Sequence, residues 1–463
     1  MLFNTFLYFI FLFAFLVIFY ILARNDWKKG LILLSSYGFY AYWDYRFCFL
    51  LLGLSLLTYL LAGRIEKNRD ASAPLVIGIA VNLLALLIFR YFNFFIESFE
   101  VALGLNSGLG YIERNLIFPV GVSFYTLQSI AYLIDVKKQR TERANLLDTL
   151  VYIAFFPKLV AGPLVRSYSF LPQLKSPLKA NRQQVESGAF LIVIGLFRKV
   201  LIADPAGKYV DNIFKQPEYF LGPEILCALF LFAIQIYADF SAYTFIARGS
   251  AKLMGIEMMR NFKFPLFSRN IIDFWQRWHI SFAEWFKDYL YLPLNNNNLT
   301  ISFIPLLITA LIAGFWHGAD WNFLIFGLYH GLVIWITSKV VSNNYSSGIT
   351  IKLSDIPAIL ITFFVVLIGW FFYRIDDLSD LPIIMDKFQN WESSEVSMTM
   401  VQITLVFVVT VIILEIFEHL YQIKKSKLIN NKYVRLGAML AIFGMTLLYM
   451  FQTEPSAFIY FHF

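Results

Sequence analysis

The sequence predicts an all-α polytopic membrane protein. Three observations carry that prediction. The chain is 59% hydrophobic and 15% charged over 463 residues, whereas soluble proteins are about 45–50% apolar and about 25% charged. Uncharged runs of about 20 residues, the length that spans a bilayer, recur along the chain. The Lys and Arg behind the net charge of +7 fall mostly in short loops between those runs. That placement points to a lipid bilayer, not to nucleic acid.

Leu2 to Leu22 is long enough to span, and it lacks the basic n-region and small-residue cleavage site of a cleavable signal peptide. Arg24, Lys28 and Lys29 follow at once and mark its cytoplasmic end. Leu31 to Leu61 is interrupted by Tyr40-Ala-Tyr-Trp-Asp-Tyr-Arg46 and reads as two shorter passes turning near Asp44. Arg64 to Asp70 is a charged loop. Leu75 to Phe95 spans, with Arg90 placed to snorkel. Glu97 to Arg114 is acidic and reads as an external loop. Leu116 to Val136 spans and ends at the basic residues Lys137, Lys138, Arg140 and Arg143. Leu147 to Val165 contains Pro157-Lys158 and Gly162-Pro163, so it reads as broken or re-entrant and packed in protein.

Arg166 to Glu186 is polar and cytoplasmic. Phe190 to Ala203 is a weak span, interrupted by Arg198-Lys199. Ile225 to Phe245 is a better one, and its Gln235, Asp239, Ser241 and Tyr243 should not face lipid. Trp321 to Thr337, which carries His330, spans, as do Ile356 to Tyr373, Val401 to Ile416 and Leu436 to Met450. Lys424 to Arg435 is the strongest cytoplasmic signal, leaving Phe451 to Phe463 outside. The total is roughly eleven to thirteen transmembrane or re-entrant segments. They form a single membrane-embedded domain over 1–463, with N-terminal helices in 1–145, a catalytic core in 146–345 and C-terminal helices in 346–463.

Arg260 to His317 organises the rest. Trp275, Trp278, Phe282, Trp285 and Tyr289 step by three and four, the spacing of one helical face. Asp273, Gln276, Arg277, Glu284, Lys287 and Asp288 take the other face, with Asp273 and Arg277 paired at i,i+4. His279 sits at the border. Such a helix fits the membrane interface, or a position against protein inside it. Leu299 to Phe315 carries no charge and delivers His317 near its end. An ionisable residue at membrane depth is costly, which makes it a functional-site hypothesis.

The chemistry these residues allow is narrow. The chain has no phosphate-cradling Gly loop, Cys-x-x-Cys pair, nucleophile elbow or metal-ligand set. Cys48 and Cys227 both lie in apolar runs, as small buried hydrophobes do. A lone histidine is more often a hydrogen-bonded core residue than a catalyst, and a lone Lys or Arg is more often juxtamembrane charge. Two histidines in apolar settings beside Arg260, Lys263, Arg269, Arg277 and Lys287 tip the balance. Histidine titrates nearest neutrality and suits proton abstraction from a hydroxyl. Cations suit a phosphate-bearing donor. Together they fit acyl transfer from a thioester to a hydroxyl.

Phe274-Trp-Gln-Arg-Trp-His-Ile-Ser281 and Trp285-Phe-Lys-Asp-Tyr-Leu-Tyr-Leu-Pro-Leu294 resemble the central motif of membrane-bound O-acyltransferases. So do Gly314-Phe-Trp-His-Gly318, Trp321-Asn-Phe323 and Gly327-Leu-Tyr-His-Gly331. Supporting stretches place the chain nearest the bacterial alginate O-acetylation type: Ser36 to Trp43, Pro119 to Tyr125, Phe155 to Pro163, Gln235 to Ser241, Trp370 to Arg374 and Tyr460 to Phe463.

The resemblance implies that His317 is catalytic and His279 a second site residue. Trp275, Trp278, Trp316, Asn322, Gln235 and Asp239 join the four cations from Arg260 to Arg277 as expected donor- or substrate-binding positions. It also implies a ring of helices around a thin central tunnel in a bacterial cytoplasmic membrane. Acetyl-CoA would be the donor, with no bound cofactor. The acceptor would be an extracytoplasmic polysaccharide or peptidoglycan, reached directly or through a secreted or membrane-anchored SGNH-type partner.

Two departures from relatives of this type stand out. Thr244-Phe245 occupies the place of a Ser-Asp pair, and Asn295 to Asn298 the place of a Gly-Gly-Asn-Arg turn. The competing readings are D-alanyl transfer to teichoic acid and a transporter or flippase without chemistry. No paired halves of the transporter kind are visible.

Overall fold

The computed structural model describes residues 1–104, 119–160, 162–341, 351–422 and 432–459, and it is all-α, with no strand among them. In chain order the first helices are α1 (Phe6–Ile21), α2 (Asn25–Asp44), α3 (Arg46–Lys67), α4 (Ala73–Leu86) and α5 (Phe92–Leu103). Next come α6 (Val122–Lys137), α7 (Leu146–Ala154), α8 (Phe156–Leu159), α9 (Ser167–Lys175), α10 (Arg182–Phe197) and α11 (Asp204–Lys215). The central part holds α12 (Gly222–Leu253), α13 (Ile271–Trp275), α14 (Ile280–Phe286), α15 (Phe303–His317) and α16 (Trp321–Val340). The chain ends with α17 (Ile356–Arg374), α18 (Leu381–Gln389), α19 (Glu395–Gln422) and α20 (Lys432–Met450). Wider π turns interrupt the helical path at Leu87–Tyr91, Arg198–Ala203 and Lys287–Tyr291.

Six of these helical stretches are long and apolar enough to cross a membrane, and three shorter apolar helices accompany them, Phe6–Ile21, Phe303–His317 and Leu436–Met450. This is a multi-pass membrane protein. In α12, 83% of the apolar window is buried, against 22% in α19. Protein therefore surrounds α12, and its Asp239, Ser241 and Tyr243 are buried as the sequence requires.

The chain forms two compact units. The first comprises Met1–Ile192 and Thr244–Met259. Its core is aromatic, with Phe3, Tyr8, Phe39 and Phe156 fully buried. The break expected in Leu147 to Val165 is present. α7 stops at Ala154, and α8 is one turn carrying the fully buried Lys158, whose ammonium donates to Gln128 Oε1 at 2.6 Å. The second unit comprises Val193–Tyr243 and Arg260–Phe463 and contains both histidines of the central stretch.

Several expectations need correction. The turn near Asp44 is real, but the presumed loop from Glu97 is helical as far as Leu103, and 105–114 lie outside the described residues. α6 begins at Val122 and is almost wholly buried, so it is enclosed by protein. The basic run of 423–431 and the terminal 460–463 also lie outside the described residues.

The aromatic helix expected across Trp275 to Tyr289 is broken at His279, whose φ is +42°. The supposed polar face is split too: Gln276, Glu284 and Lys287 are exposed, whereas Asp273 and Arg277 are buried against each other. A helical periodicity reports which side chains share a buried side, and it does not detect a single left-handed residue that restarts the helix. In the tail after Met450, Phe458 and Ile459 are buried in the second unit.

Candidate functional site

His279 is placed by its backbone. Its left-handed conformation makes it the N-cap of α14, and its carbonyl accepts from the Phe282 and Ala283 N–H groups at 3.0 Å. Such a conformation costs a non-glycine residue about 1–3 kcal/mol, so neighbours must enforce it. Asn261 does so. Its carbonyl accepts from Ile280 N–H at 2.9 Å, and its Oδ1 accepts from Ser281 N–H at 3.1 Å and from Ser281 Oγ–H at 2.7 Å. Upstream, Asn270 caps α13, and Arg277 Nε meets Asp273 Oδ1 at 2.6 Å with both side chains buried.

His317 is the last residue of α15. α15 and α16 form a close hairpin. A Cβ at Gly314 would lie 2.4 Å from the Phe323 carbonyl oxygen and 2.8 Å from Gly327 Cα, so the two helix backbones touch there. Small residues permit this approach in membrane helices. Asn322 locks the same end by donating to the Ile375 carbonyl at 2.7 Å, just past α17.

The two imidazoles meet. Their ring centroids are 6.4 Å apart, and Phe282 packs on both, at 4.7 Å from His279 and 4.9 Å from His317. Phe240 of α12 approaches His279 edge-on at 4.4 Å, and Tyr373 of α17 lies 5.5 Å from His317. Neither nitrogen of His279 has a hydrogen-bond partner among the described residues. His279 lies outside the spanning helices. Burial holds it well below its ordinary value of 6.5, and His317 nearby lowers it further, so it is neutral at neutral pH. A neutral imidazole in a dry aromatic wall can take a proton from a hydroxyl.

The remaining predicted residues divide. Trp316 packs on Phe282 at 4.7 Å and lies 6.4 Å from His279. Trp278 stacks on Phe274 and contacts Trp370, whereas Trp275 turns to His330 at 5.2 Å. The four cations are not equivalent. Arg277 is committed to Asp273 and Arg269 to Asp355 at 2.9 Å, while Arg260 is exposed and Lys263 half-buried.

Gln235 and Asp239 line a cavity of about 320 Å³ together with Lys199, Asp204, Gly207 and Arg374. Sequence reasoning missed Lys199 and Arg198 as interior charges. Arg198 meets Glu415 at 2.9 Å and Glu418 at 2.5 Å, and Lys199 meets Asp204 at 2.8 Å and Asp239 at 2.9 Å. The available signal was the rule that a charge inside an apolar run needs an opposite charge in another.

The segment 122–375, which contains the whole histidine site, matches the membrane-bound O-acyltransferase family. The chain belongs to that family. It is an O-acyltransferase. It is similar to the probable alginate O-acetylase AlgI of Pseudomonas aeruginosa, at 33% identity over 84% of this chain and 76% of that one. It is also similar to a peptidoglycan O-acetyltransferase of Helicobacter pylori, at 32% identity over 82% and 78%. A teichoic acid D-alanyltransferase of Bacillus subtilis is 28% identical over 56% of this chain and 69% of its own.

Proposed function

We propose that this acyltransferase takes an acetyl group from cytoplasmic acetyl-CoA and delivers it across the bacterial inner membrane. The acceptor is a hydroxyl of an extracytoplasmic polysaccharide or peptidoglycan, or first a serine of an SGNH-type partner. The observation that carries this reading is the buried pair of imidazoles 6.4 Å apart, with His317 closing an uncharged helix. In the reaction the acceptor oxygen attacks the thioester carbonyl, a C–O bond forms and the C–S bond breaks. His317 accepts the hydroxyl proton, which ends on the coenzyme A thiolate. His279 is neutral and polarises or orients the thioester beside it. The tunnel implied by the family resemblance is where donor and acceptor meet, so only the acetyl group crosses. Arg260, which is exposed, and Lys263, which is half-buried, are the better candidates for the donor phosphates.

The O-acetylating relatives align over more of this chain than the D-alanylating one does, which favours acetyl over D-alanyl as the acyl group. Membrane vesicles supplied with labelled acetyl-CoA, or with a D-alanyl thioester donor, test this. Label in a glycan or partner ester from acetyl-CoA alone is expected. Transfer from the D-alanyl donor alone would select the second reading.

A further inference from the structure

We infer that Asp239 is a positioning residue, which ties the C-terminal segment 451–459 to α12 and thereby fixes the wall against His279. The inference rests on the proposed place of His279 in the transfer site.

The contacts form a clamp around one aromatic ring. Asp239 Oδ2 accepts from the Ile459 N–H at 2.8 Å. Its Oδ1 meets Lys199 Nζ at 2.9 Å. Lys199 in turn donates to the Ala457 carbonyl at 2.8 Å and meets Asp204 at 2.8 Å. One ammonium thus sits against two carboxylates and one backbone carbonyl. Asp239, Lys199 and Phe458 are each no more than 2% exposed.

The backbone is held on both sides of Phe458, by its Ala457 carbonyl and its Ile459 N–H. Its ring is therefore delivered to one place, 4.3 Å from Tyr243 and 5.8 Å from Phe240. Phe240 directly follows Asp239 on α12, and it packs edge-on against the His279 ring at 4.4 Å as well as against Phe262 at 5.1 Å. His279 has no polar anchor of its own among the described residues, so aromatic packing must orient it. Displacing a reacting group by about 1 Å can cost 10²-fold in rate. A clamp one residue from that packing should therefore act on turnover more than on donor binding.

The test uses the full-length chain in vesicles with Asp239→Asn and, separately, Ile459→Pro, which deletes the N–H donor while leaving the Asp239 carboxylate in place. The kinetic readout is acetyl transfer from acetyl-CoA. Docking is read independently in a background with Cys48 and Cys227 replaced, as cross-linking of Tyr243→Cys to Phe458→Cys by a short bifunctional thiol reagent. Both variants should lower kcat about tenfold or more, with the donor KM held within about twofold, and both should reduce the cross-link.

A raised donor KM at unchanged kcat would make Asp239 a substrate contact and overturn the inference. So would unchanged kcat in both variants, or a cross-link insensitive to both. If Asp239→Asn fails to insert, Ile459→Pro decides alone. Absence of transfer in the unsubstituted chain would count against the proposed function, and the cross-link would still judge the clamp.

Discussion

Phe282 packs against both imidazoles, nearly parallel to His279 at 12° and tilted at 48° to His317. One side chain therefore braces both rings of the pair. Phe282 is 2% exposed, and truncating a buried Phe typically costs about 3–5 kcal/mol. Phe282→Ala should lower the melting temperature of the purified protein in detergent and abolish most transfer. Phe282→Leu should cost less than about 1.5 kcal/mol while still lowering turnover, because it fills the space without the flat face. Equal melting temperatures for all three proteins would contradict this packing role.

The left-handed backbone of His279 separates its conformational role from its chemical one. Asn adopts positive φ readily and β-branched residues do so with difficulty. His279→Asn should melt at or near the native temperature and His279→Val several degrees lower, while both lose transfer alike. A Val variant as stable as the Asn variant would place that φ in doubt.

The architecture was legible because bilayer length and the absence of charge are properties of continuous segments. The all-α, multi-pass class and the broken segment around Pro157 follow from them. The histidines were legible because an ionisable group closing an apolar run is costly. The break at His279 was not, because the aromatic spacing on either side continues across it and a left-handed residue leaves no periodic trace. Nor was the fate of the cations. Arg277 and Asp273 show an i,i+4 pairing that a solvated helix face would share, and only their burial distinguishes the two cases. The Lys199–Asp239 pair joins residues 40 apart in sequence, which no local pattern reports.

The pH dependence of stability has a definite sign. His279 titrates well below 6.5 when folded because burial disfavours its charged form. Below about pH 6.5 the unfolded chain binds the extra proton and the folded chain does not, so stability falls as pH falls and is flat above that value for this group. The slope is at most about 1.4 kcal/mol per pH unit for one proton. His279→Asn should remove that share of the loss between about pH 6.5 and 5, measured as melting temperature in detergent against pH. Identical profiles for the two proteins would contradict a neutral, buried His279.

The α15–α16 hairpin depends on its glycines unequally with glycines elsewhere. Gly314→Leu must push α15 away from Phe323 and Gly327 of α16 and should prevent recovery of folded protein. Gly30→Ala in α2, where a Cβ meets nothing within 4 Å, should be neutral or stabilising by up to about 1 kcal/mol. Detergent-stable yield and melting temperature check both, and a well-folded Gly314→Leu protein would contradict the close approach.

The central claim is that His317 carries the proton in acyl transfer. The direct measurement is the O-acetyl content of surface glycan in a deletion strain complemented with His317→Ala at matched membrane protein level. The account predicts a fall of about 10²-fold or more, the size expected for loss of a general base, with the variant folded and inserted. Acetylation at the level of the unsubstituted protein would contradict it.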